Sequence, residues 1–395
     1  MGAGVSVPRF LRRRSRRTAG PADEASPLVR LLGRDEVVAG QRGRRLVRGR
    51  RVLVTGACGT VGSALCHQVK RLEPAALWLV DVDGERLRRL GHEMTGRLER
   101  TRVHAAEADV RDRDRIAEVV GRARPDLVFH TAGPNELAAV ERDPCRGVAA
   151  NVAGARHVLD SAVRADVERL VLVSSDKAAE PTSVYGATMR LCEMLLTGAA
   201  GGRTRFAAVR VGNVLGPAGP LLTLLARRIA AGEAVTITHP EVARHFMTAA
   251  EAAGLLLEAA AMAERAETFA LDVGDPVPVV ELVHRYAEQL RLPEVTIRFS
   301  GLGPGEKLAE KTFSDSEPLI RTAHPRIWAT RPATPPAGLP RLLDALEAAA
   351  EAGDPDRVRL LLRRLLPEYR PVRRPPPVET RRACDTCRGP ELPAL

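Results

Sequence analysis

Residues 51–62 read RVLVTGACGTVG, and this stretch decides the fold class. The run from Arg51 to Thr55 predicts a short buried strand, because it is rich in β-branched and apolar residues. Glycines at positions 56, 59 and 62 follow at once, and a helical pattern begins near Ser63. A strand, a glycine-rich turn and a helix in this order are typical of a unit that binds the pyrophosphate of a dinucleotide.

Each glycine of this turn has a physical reason. Gly56 permits the tight turn, Gly59 lets the backbone approach a pyrophosphate, and Gly62 allows the helix to pack closely on the strand. The amino end of the helix then faces the phosphates, where its free N–H groups favour negative charge. The cofactor-binding residues predicted at this turn are Thr55, Gly56, Gly59, Thr60, Val61 and Gly62.

Residues after the next two predicted strands extend the nucleotide site. Asp81 ends the second strand, 19 residues after Gly62. This is the usual place for an acid that holds the adenine ribose hydroxyls, which favours NAD. Asp109 and Val110 follow the third strand, where we expect an adenine contact. The arginines close behind Asp81, which could instead serve the 2′-phosphate of NADP, are Arg86, Arg88 and Arg89.

Short apolar strands alternate with helical patterns up to about residue 205. The predicted strands cover residues 51–55, 77–80, 103–107, 126–130 and 169–174. Unbroken apolar runs of this length are typical of strands that helices bury on both faces. The sequence therefore predicts an α/β fold with a Rossmann-type doubly wound parallel sheet. The rhythm changes beyond residue 205, which indicates a smaller C-terminal substrate-binding region.

The charge of the chain is concentrated at its two ends. Its 395 residues carry 60 Lys and Arg against 49 Asp and Glu, a formal net charge of +11. Residues 1–22 contribute +6 and residues 370–395 contribute +3, which leaves +2 for the rest. A nucleic-acid-binding domain would carry its charge on the fold and more aromatic residues than the 3% found here. We therefore expect no nucleic-acid partner.

Hydropathy predicts a cytoplasmic protein without a transmembrane span. Hydrophobic residues make up 45% of the chain, which is enough for a packed core. No run approaches the ~18–20 apolar residues that a span needs. The basic ends are expected to be solvated, and the alternative is weak contact of the arginine-rich start with anionic lipid.

Cysteine usage predicts no metal site. Four of the six cysteines are scattered among apolar neighbours, as is usual for small buried residues. Cys384 and Cys387 form a CxxC pair near the C-terminus, with no second pair and no histidine nearby. Structural zinc needs about four ligands, so this pair alone does not indicate a site.

A group of chemically active residues follows the fifth predicted strand. Residues 174–177 read SSDK and residues 184–190 read VYGATMR. In a dinucleotide-binding sheet, the carboxyl ends of the strands lie beside the nicotinamide. Further motifs downstream are VRVGNVLG at 209–216, THP at 238–240, RHFMT at 244–248 and GLGPGEKL at 301–308.

With these motifs in this order, residues from about 27 to about 313 resemble the CapD-like polysaccharide biosynthesis group of extended short-chain dehydrogenases. That group includes inverting UDP-N-acetylglucosamine 4,6-dehydratases. The resemblance implies a UDP-sugar substrate, a tightly bound and recycled NAD or NADP, and a homo-oligomer. In this reaction carbon 4 of the sugar is oxidised, water leaves across carbons 5 and 6, and the hydride returns to carbon 6.

The resemblance also implies roles for individual residues. Tyr185 would remove the hydroxyl proton at carbon 4, and Ser175 would assist it by a hydrogen bond. Lys177 would be the base at carbon 5, and Asp176 the acid that releases the carbon-6 hydroxyl. The residues that would help to hold the nucleotide sugar are Asn213, Arg244 and Glu306, with Arg244 suited to the diphosphate.

Two departures from the family pattern fall on the substrate side. Short-chain dehydrogenases have a lysine four residues after the tyrosine, where its charge lowers the tyrosine pKa, and here that residue is Met189. Arg190 is adjacent, but on a helix it points about 100° away. The second departure is Asn135-Glu136, which stands where the family usually has a Lys-His pair.

Three functions are therefore weighed. The first is 4,6-dehydration of UDP-N-acetylglucosamine or a relative in glycan-precursor biosynthesis, which the retained Asp176 and Lys177 favour. The second is epimerisation of a nucleotide sugar without elimination. The third is a non-catalytic homologue that binds nucleotide sugar or cofactor, which Met189 and the Asn135-Glu136 pair favour.

The predicted organisation divides the chain into six parts. Residues 1–22 are a basic disordered tail and residues 23–50 a lead-in segment. Residues 51–205 form the NAD(P)-binding domain, and residues 206–330 a nucleotide-sugar-binding region interleaved with the sheet. Residues 331–369 form closing helices, and residues 370–395 a Pro/Arg-rich tail.

Overall fold

The computed structural model describes residues 27–34, 40–95, 101–200, 202–216, 220–292, 295–331 and 335–372. The predicted N-terminal tail, most of the predicted C-terminal tail and the Cys384–Cys387 pair lie outside the described residues. Within the described ranges, no helix has the length and apolar character that a membrane crossing requires.

Short strands occur throughout the described chain. They are β1 Arg51–Thr55, β2 Ala76–Asp81, β3 Arg102–Glu107, β4 Leu127–His130, β5 Arg169–Ser175, β6 Arg205–Val211, β7 Asn213–Leu215, β8 Val235–Ile237, β9 Ala243–Arg244, β10 Phe246–Thr248, β11 Ala266–Leu271, β12 Val277–Pro278, β13 Ile297–Phe299, β14 Ile320–Arg321 and β15 Ile327–Thr330.

Helices connect most of these strands. They are α1 Pro27–Leu32, α2 Arg42–Val47, α3 Thr60–Arg71, α4 Gly84–Met94, α5 Arg113–Ala123, α6 Leu137–Arg142, α7 Pro144–Gly147, α8 Gly154–Arg164, α9 Val184–Gly198, α10 Pro220–Ala230, α11 Ala249–Met262, α12 Val279–Gln289, α13 Leu339–Glu351 and α14 Pro355–Leu365. A π-helical stretch, Val148–Ala153, joins α7 to α8, and a 3₁₀ turn, Asp176–Ala178, follows β5.

The main sheet has the strand order β14-β15-β11-β6-β5-β4-β1-β2-β3. The strands from β11 to β3 are parallel, while β15 and β14 are antiparallel to their neighbours. The order reverses between β1 and β4, which is where ligands bind in doubly wound sheets. The predicted fold class is confirmed, and the antiparallel edge was not predicted.

The strands of the sheet read as apolar runs because helices cover both faces. Buried residues of one face pack against α5, α8 and α9, and those of the other face against α3 and α11. Helices α13 and α14 extend the first of these clusters by packing on the helices that cover it. Helix α11 was missed in the sequence because its sequence, AAEAAGLLLEAAAM, is apolar all round and lacks an amphipathic period. Thr248 and Glu251 form a capping box that fixes its start.

A smaller region, formed by residues beyond β6 together with α1, has a hydrophobic cluster of its own. The strand pairs β7–β10, β9–β12 and β8–β13 belong to it, together with α1, α10 and α12. Residues beyond 205 also supply β11, β14 and β15 to the main sheet. The smaller region therefore stands beside the carboxyl end of β6, next to the predicted catalytic strand β5.

Candidate active site

The glycine turn is packed too closely for side chains. Gly56 has φ of +69°, and a Cβ on it would lie 2.6 Å from the Ala132 nitrogen. A Cβ on Gly62 would lie 2.0 Å from the Gly56 carbonyl oxygen. Gly59 precedes the first residue of α3 and is exposed. The turn therefore leaves the amino end of α3 open, as a dinucleotide pyrophosphate requires.

Thr55 supports this turn from beneath. Its Oγ1 lies 2.7 Å from the Nδ1 of His130, and both side chains are buried. Burial lowers the pKa of His130 to about 4, so the ring is neutral near pH 7. The Thr131 hydroxyl donates to the Thr55 carbonyl oxygen at 2.8 Å. These contacts lock the ends of β1 and β4 together, whereas Thr60 and Val61 are half-buried at the start of α3.

Asp81 holds the loop through its carboxylate. Its Oδ2 accepts a hydrogen bond from the Cys58 N–H at 2.8 Å, and its Oδ1 accepts one from the Asp83 N–H at 3.1 Å. Arg86 donates to the Cys58 carbonyl oxygen at 2.6 Å. The acid and one of the three nearby arginines thus both lie against the glycine turn.

The two residues predicted after β3 have different surroundings. Hydrogen bonds from Arg111 hold the pKa of Asp109 below its ordinary value. Val110 is buried, and its carbonyl oxygen lies 3.0 Å from the Nδ1 of His157.

The predicted catalytic residues come together at the end of β5. The Ser175 hydroxyl donates to Asp176 Oδ1 at 3.1 Å, and the Lys177 Nζ donates to the same oxygen at 3.0 Å. Asp176 is 2% exposed, and its Oδ2 has no hydrogen-bond partner within the described residues. Lys177 Nζ also lies 3.4 Å from Asn213 Oδ1, which brings one of the predicted sugar-binding residues to the same place.

Tyr185 stands on the first turn of α9, beside this cluster. Ser183 caps the helix by accepting a hydrogen bond from the Gly186 N–H at 3.0 Å. Burial raises the pKa of the Tyr185 phenol, while the charge of Lys177 and a hydrogen bond with Ser175 lower it in part. The phenol is therefore protonated near pH 7 in the free protein.

Position 189, where short-chain dehydrogenases have a lysine, is occupied by Met189, and Arg190 is next to it. Met189 is buried in the hydrophobic cluster behind α9. Arg190 forms ion pairs with three carboxylates at 2.9–3.2 Å, those of Glu193, Glu317 and Glu368. Its guanidinium is therefore committed to these groups and does not replace the missing lysine.

Arg244 and Glu306, which were predicted to hold the nucleotide sugar, are joined to each other. Arg244 Nη2 donates to Glu306 Oε1 at 2.8 Å, and its Nη1 donates to the carbonyl oxygens of Lys307 and Leu308 at 3.0 Å. Glu306 also accepts from the Thr238 hydroxyl and the Gly303 N–H. The pair thus anchors the 301–308 loop.

Sequence reasoning missed two residues near the site. Asn151, in the π-helical stretch, donates to the Thr188 hydroxyl at 3.0 Å, and Thr188 donates to the Tyr185 carbonyl oxygen at 2.8 Å. An asparagine within an apolar helical pattern was the signal that could have identified it. Glu310 is buried and raises the pKa of Lys177, but it lies two residues beyond the GLGPGEKL motif at 301–308.

Two further expectations from the sequence concern residues outside this cluster: the Asn135-Glu136 pair and possible metal ligands. Asn135 and Glu136 are exposed and precede α6. Across the described ranges, no three His, Cys, Asp or Glu side chains are grouped so that they could hold a metal ion.

The amino-acid sequence of this chain is similar to those of several known proteins. The family described as polysaccharide biosynthesis protein matches residues 52–332. Capsular polysaccharide biosynthesis protein CapD of Staphylococcus aureus is 37% identical over 305 residues, which are 75% of this chain and 51% of that protein. UDP-glucose 4-epimerase of Rickettsia conorii is 29% identical over 213 residues, covering 53% and 61% of the two chains.

The solved structure of Pen from Bacillus thuringiensis is also similar. It superposes with a TM-score of 0.66 at 26% identity, covering 74% of this chain and 90% of that one. The chain spans about half the length of the polysaccharide biosynthesis relatives it matches, 48% and 51%.

Proposed function

Because this chain belongs to the polysaccharide biosynthesis protein family, we propose that it is an NAD(P)-dependent nucleotide-sugar 4,6-dehydratase. The substrate is UDP-N-acetylglucosamine or a related UDP-sugar. One observation carries this proposal: a buried carboxylate and an amine, Asp176 and Lys177, are hydrogen-bonded beside Tyr185 at the carboxyl end of β5. An elimination of water needs such an acid and base within reach of one substrate.

The residues of the glycine turn fit NAD or NADP. The open amino end of α3, the bare backbone at Gly56 and Gly59, and the carboxylate of Asp81 would hold the pyrophosphate and the adenine ribose. When bound, the nicotinamide supplies hydride transfer from carbon 4 of the sugar and back to carbon 6.

The protein's own groups move the protons. Tyr185, as a phenolate, accepts the proton of the carbon-4 hydroxyl, and Ser175 steadies the phenol by a hydrogen bond. Lys177 first passes its proton to Asp176, to which it is hydrogen-bonded, and as a neutral amine accepts the proton of carbon 5. Asp176 delivers its proton to the carbon-6 hydroxyl, which leaves as water, and Lys177 returns the proton to carbon 5 once carbon 6 has been reduced. In this proposal Asn213, which lies beside Lys177, and the Arg244–Glu306 pair would help to hold the sugar and the diphosphate.

Epimerisation is the second candidate, because an epimerase is among the relatives. It needs the carbon-4 oxidation but no acid for a leaving hydroxyl, so it leaves the buried Asp176–Lys177 pair without a task. A non-catalytic homologue is the third candidate, since Met189 removes the usual lysine. A homo-oligomer in the cytoplasm remains a prediction.

Mass spectrometry of UDP-N-acetylglucosamine incubated with purified protein, NAD and NADP separates these functions. The expected product is lighter by one water. A product of unchanged mass but different chromatographic retention would mean epimerisation. An unchanged substrate, with related UDP-sugars also unchanged, would favour the non-catalytic homologue. Tyr185→Phe serves as the control, because it keeps the ring and removes the acid–base group.

Introducing a lysine at position 189 is expected to raise turnover at neutral pH. The new ammonium would stand one helical turn from Tyr185 and lower the pKa of the phenol, so the reactive phenolate would form at lower pH. A pH–rate profile of Met189→Lys should therefore show its optimum shifted downward. Met189→Leu is the matched control, because it keeps the volume and adds no charge. An unchanged rate and optimum would mean that another cation already supports Tyr185.

A further inference from the structure

We propose that Glu141, held by Arg359, is a positioning residue for Tyr185, and that the C-terminal brace supports turnover as well as the fold. The C-terminal brace is α14 together with the residues that follow it, residues 355–372. It lies beyond residues 52–332, which match the family. The inference rests on the proposed role of Tyr185 in the reaction and identifies what fixes the place of its phenol.

Glu141 lies in α6, and its side chain holds the start of α9. Its Oε1 accepts a hydrogen bond from the Val184 N–H at 2.5 Å. Val184 is the first residue of α9, directly before Tyr185, and it is buried. The N–H groups of a first helical turn have no partner within their own helix, so a buried one needs an acceptor from elsewhere. A carboxylate suits this place, because the amino end of a helix favours negative charge.

Arg359, in α14, fixes Glu141 in this position. Its Nη1 donates to Glu141 Oε2 at 2.9 Å, and its Nη2 donates to the Glu141 carbonyl oxygen at 2.7 Å. The side chains of Glu141 and Arg359 are 10% and 33% exposed. One guanidinium thus binds the carboxylate and the backbone of the same residue, and its rigid fork keeps the carboxylate turned toward Val184.

The last part of the brace holds the residues that lead into α9. The Val372 N–H donates to the Thr182 carbonyl oxygen at 3.3 Å, and the Val372 carbonyl oxygen accepts from the Gly305 N–H at 3.2 Å. The Thr182 hydroxyl donates to the Gly305 carbonyl oxygen at 2.9 Å. The brace therefore joins the approach to Tyr185 to the 301–308 loop, which belongs to the predicted sugar-binding region.

Tyr185 depends on this hold because it stands on the first turn of α9. A general base must lie within hydrogen-bond reach of the proton that it takes, and a misplacement of about 1 Å can cost roughly 10² in rate. The later turns of α9 are buried, and Ser183 caps the helix through the Gly186 N–H. Loss of the Glu141 contact should therefore loosen the first turn and leave the rest of the helix folded.

The first test observes Tyr185 without substrate. Carbon-13 labelling of the tyrosine ring at Cζ gives one nuclear magnetic resonance signal for each of the three tyrosines, and Tyr185→Phe identifies that of Tyr185. In Glu141→Met and in Arg359→Met this signal is expected to shift or broaden, because the phenol leaves its place beside Ser175. Arg363→Met is the matched control, since Arg363 is exposed on the same helix, and it should leave the signal unchanged.

Turnover separates positioning from a merely structural role. In Glu141→Met, kcat for dehydration is expected to fall by about 10- to 100-fold, with KM within about threefold of the wild type. Glu141→Gln should keep kcat near the wild-type value, because its amide oxygen can still accept from the Val184 N–H. Added to Tyr185→Phe, Glu141→Met should cost the slow residual rate nothing more, since the group that it positions is gone.

Three results would overturn the proposal. They are an unmoved Tyr185 signal in both Glu141→Met and Arg359→Met, an equal loss of kcat in Glu141→Gln and Glu141→Met, and a further loss when Glu141→Met is added to Tyr185→Phe. Circular dichroism and thermal unfolding check that each variant folds. Arg359→Met, whose change lies in a part-exposed side chain, carries both measurements if Glu141→Met does not fold.

The resonance measurement does not depend on the proposed function. If the Tyr185 signal moves as expected but no UDP-sugar is dehydrated, the proposed dehydration fails while the positioning of Tyr185 by Glu141 stands. If the wild type dehydrates the substrate and Glu141→Met changes neither kcat nor the signal, the proposed function stands and the positioning role fails.

Discussion

Arg210→Met is expected to lower the free energy of unfolding by about 3–5 kcal/mol, because it leaves buried carboxylates without their partner. Arg210 Nη2 lies 2.8 Å from Glu193 Oε2, and its Nη1 lies 2.6 Å from Glu317 Oε2. The three side chains are 0%, 2% and 6% exposed. Chemical denaturation of the variant and the wild type measures the difference.

The loss of stability in Arg210→Met should depend on pH in a direction that the pKa of Glu317 determines. Burial raises the pKa of Glu317, but hydrogen bonds and charge from Arg210 outweigh burial and hold it below the ordinary value. Because its pKa in the folded protein is depressed, Glu317 stabilises the fold at pH values above its unfolded pKa of about 4.3. This contribution is lost as the pH falls through the pKa of Glu317 in the folded protein. The gap between wild type and Arg210→Met should therefore be widest near pH 7 and narrow below pH about 4.

Arg115→Met is the matched control for this experiment. Arg115 also pairs with a glutamate, Glu118, at 2.6 Å, but the two side chains are 33% and 50% exposed. Exposed pairs contribute about 0–1 kcal/mol, so this variant should unfold close to the wild type. If Arg210→Met lost no more stability than Arg115→Met, the buried network would not hold the fold together.

The same network joins distant parts of the chain behind the candidate site. Glu193 accepts from the hydroxyl of Ser174, the residue before Ser175. Glu317 belongs to the segment that follows Glu310, and Arg210 precedes Asn213 by three residues. Loss of Arg210 should therefore disturb the candidate site as well as the stability.

Features of the fold and of the candidate site that depend on residues close in sequence could be predicted. The glycine turn and its strand and helix were predicted because each depends on neighbouring residues: a positive φ at Gly56 and a close approach at Gly62. The grouping of Ser175, Asp176 and Lys177 with Tyr185 followed because all four are close in sequence, between the carboxyl end of β5 and the first turn of α9.

Contacts between distant residues could not be predicted. Arg210 and Glu317 are 107 positions apart, and Arg190 and Glu368 are 178 apart. A charged residue in a sequence looks like a solvated one until its partner is known. For the same reason Arg190 was considered in the sequence as a cation in place of the missing lysine, and the pairing of Arg244 with Glu306 was not foreseen.

Gly62→Ala is expected to weaken binding of NAD or NADP by roughly 10- to 100-fold. The new Cβ would lie 2.0 Å from the Gly56 carbonyl oxygen and 2.8 Å from the Thr131 hydroxyl oxygen. The backbone of the turn must move to relieve the first contact, since a carbonyl oxygen has no rotamer to change. Overpacking of this kind costs about 1–3 kcal/mol, which is enough to displace the turn from the position that fits the pyrophosphate. Each 1.4 kcal/mol or so of binding free energy lost with that fit corresponds to a tenfold change in Kd.

Calorimetric titration with each dinucleotide measures this loss, and Gly121→Ala is its control. Gly121 lies in α5, and a Cβ there meets no atom within 4 Å. Alanine favours a helix over glycine by about 1 kcal/mol, so this variant should bind normally and unfold no more easily. Wild-type affinity in a folded Gly62→Ala would show that the turn does not carry the pyrophosphate. Equal weakening in both variants would show that the loss reflects alanine in general and not the turn.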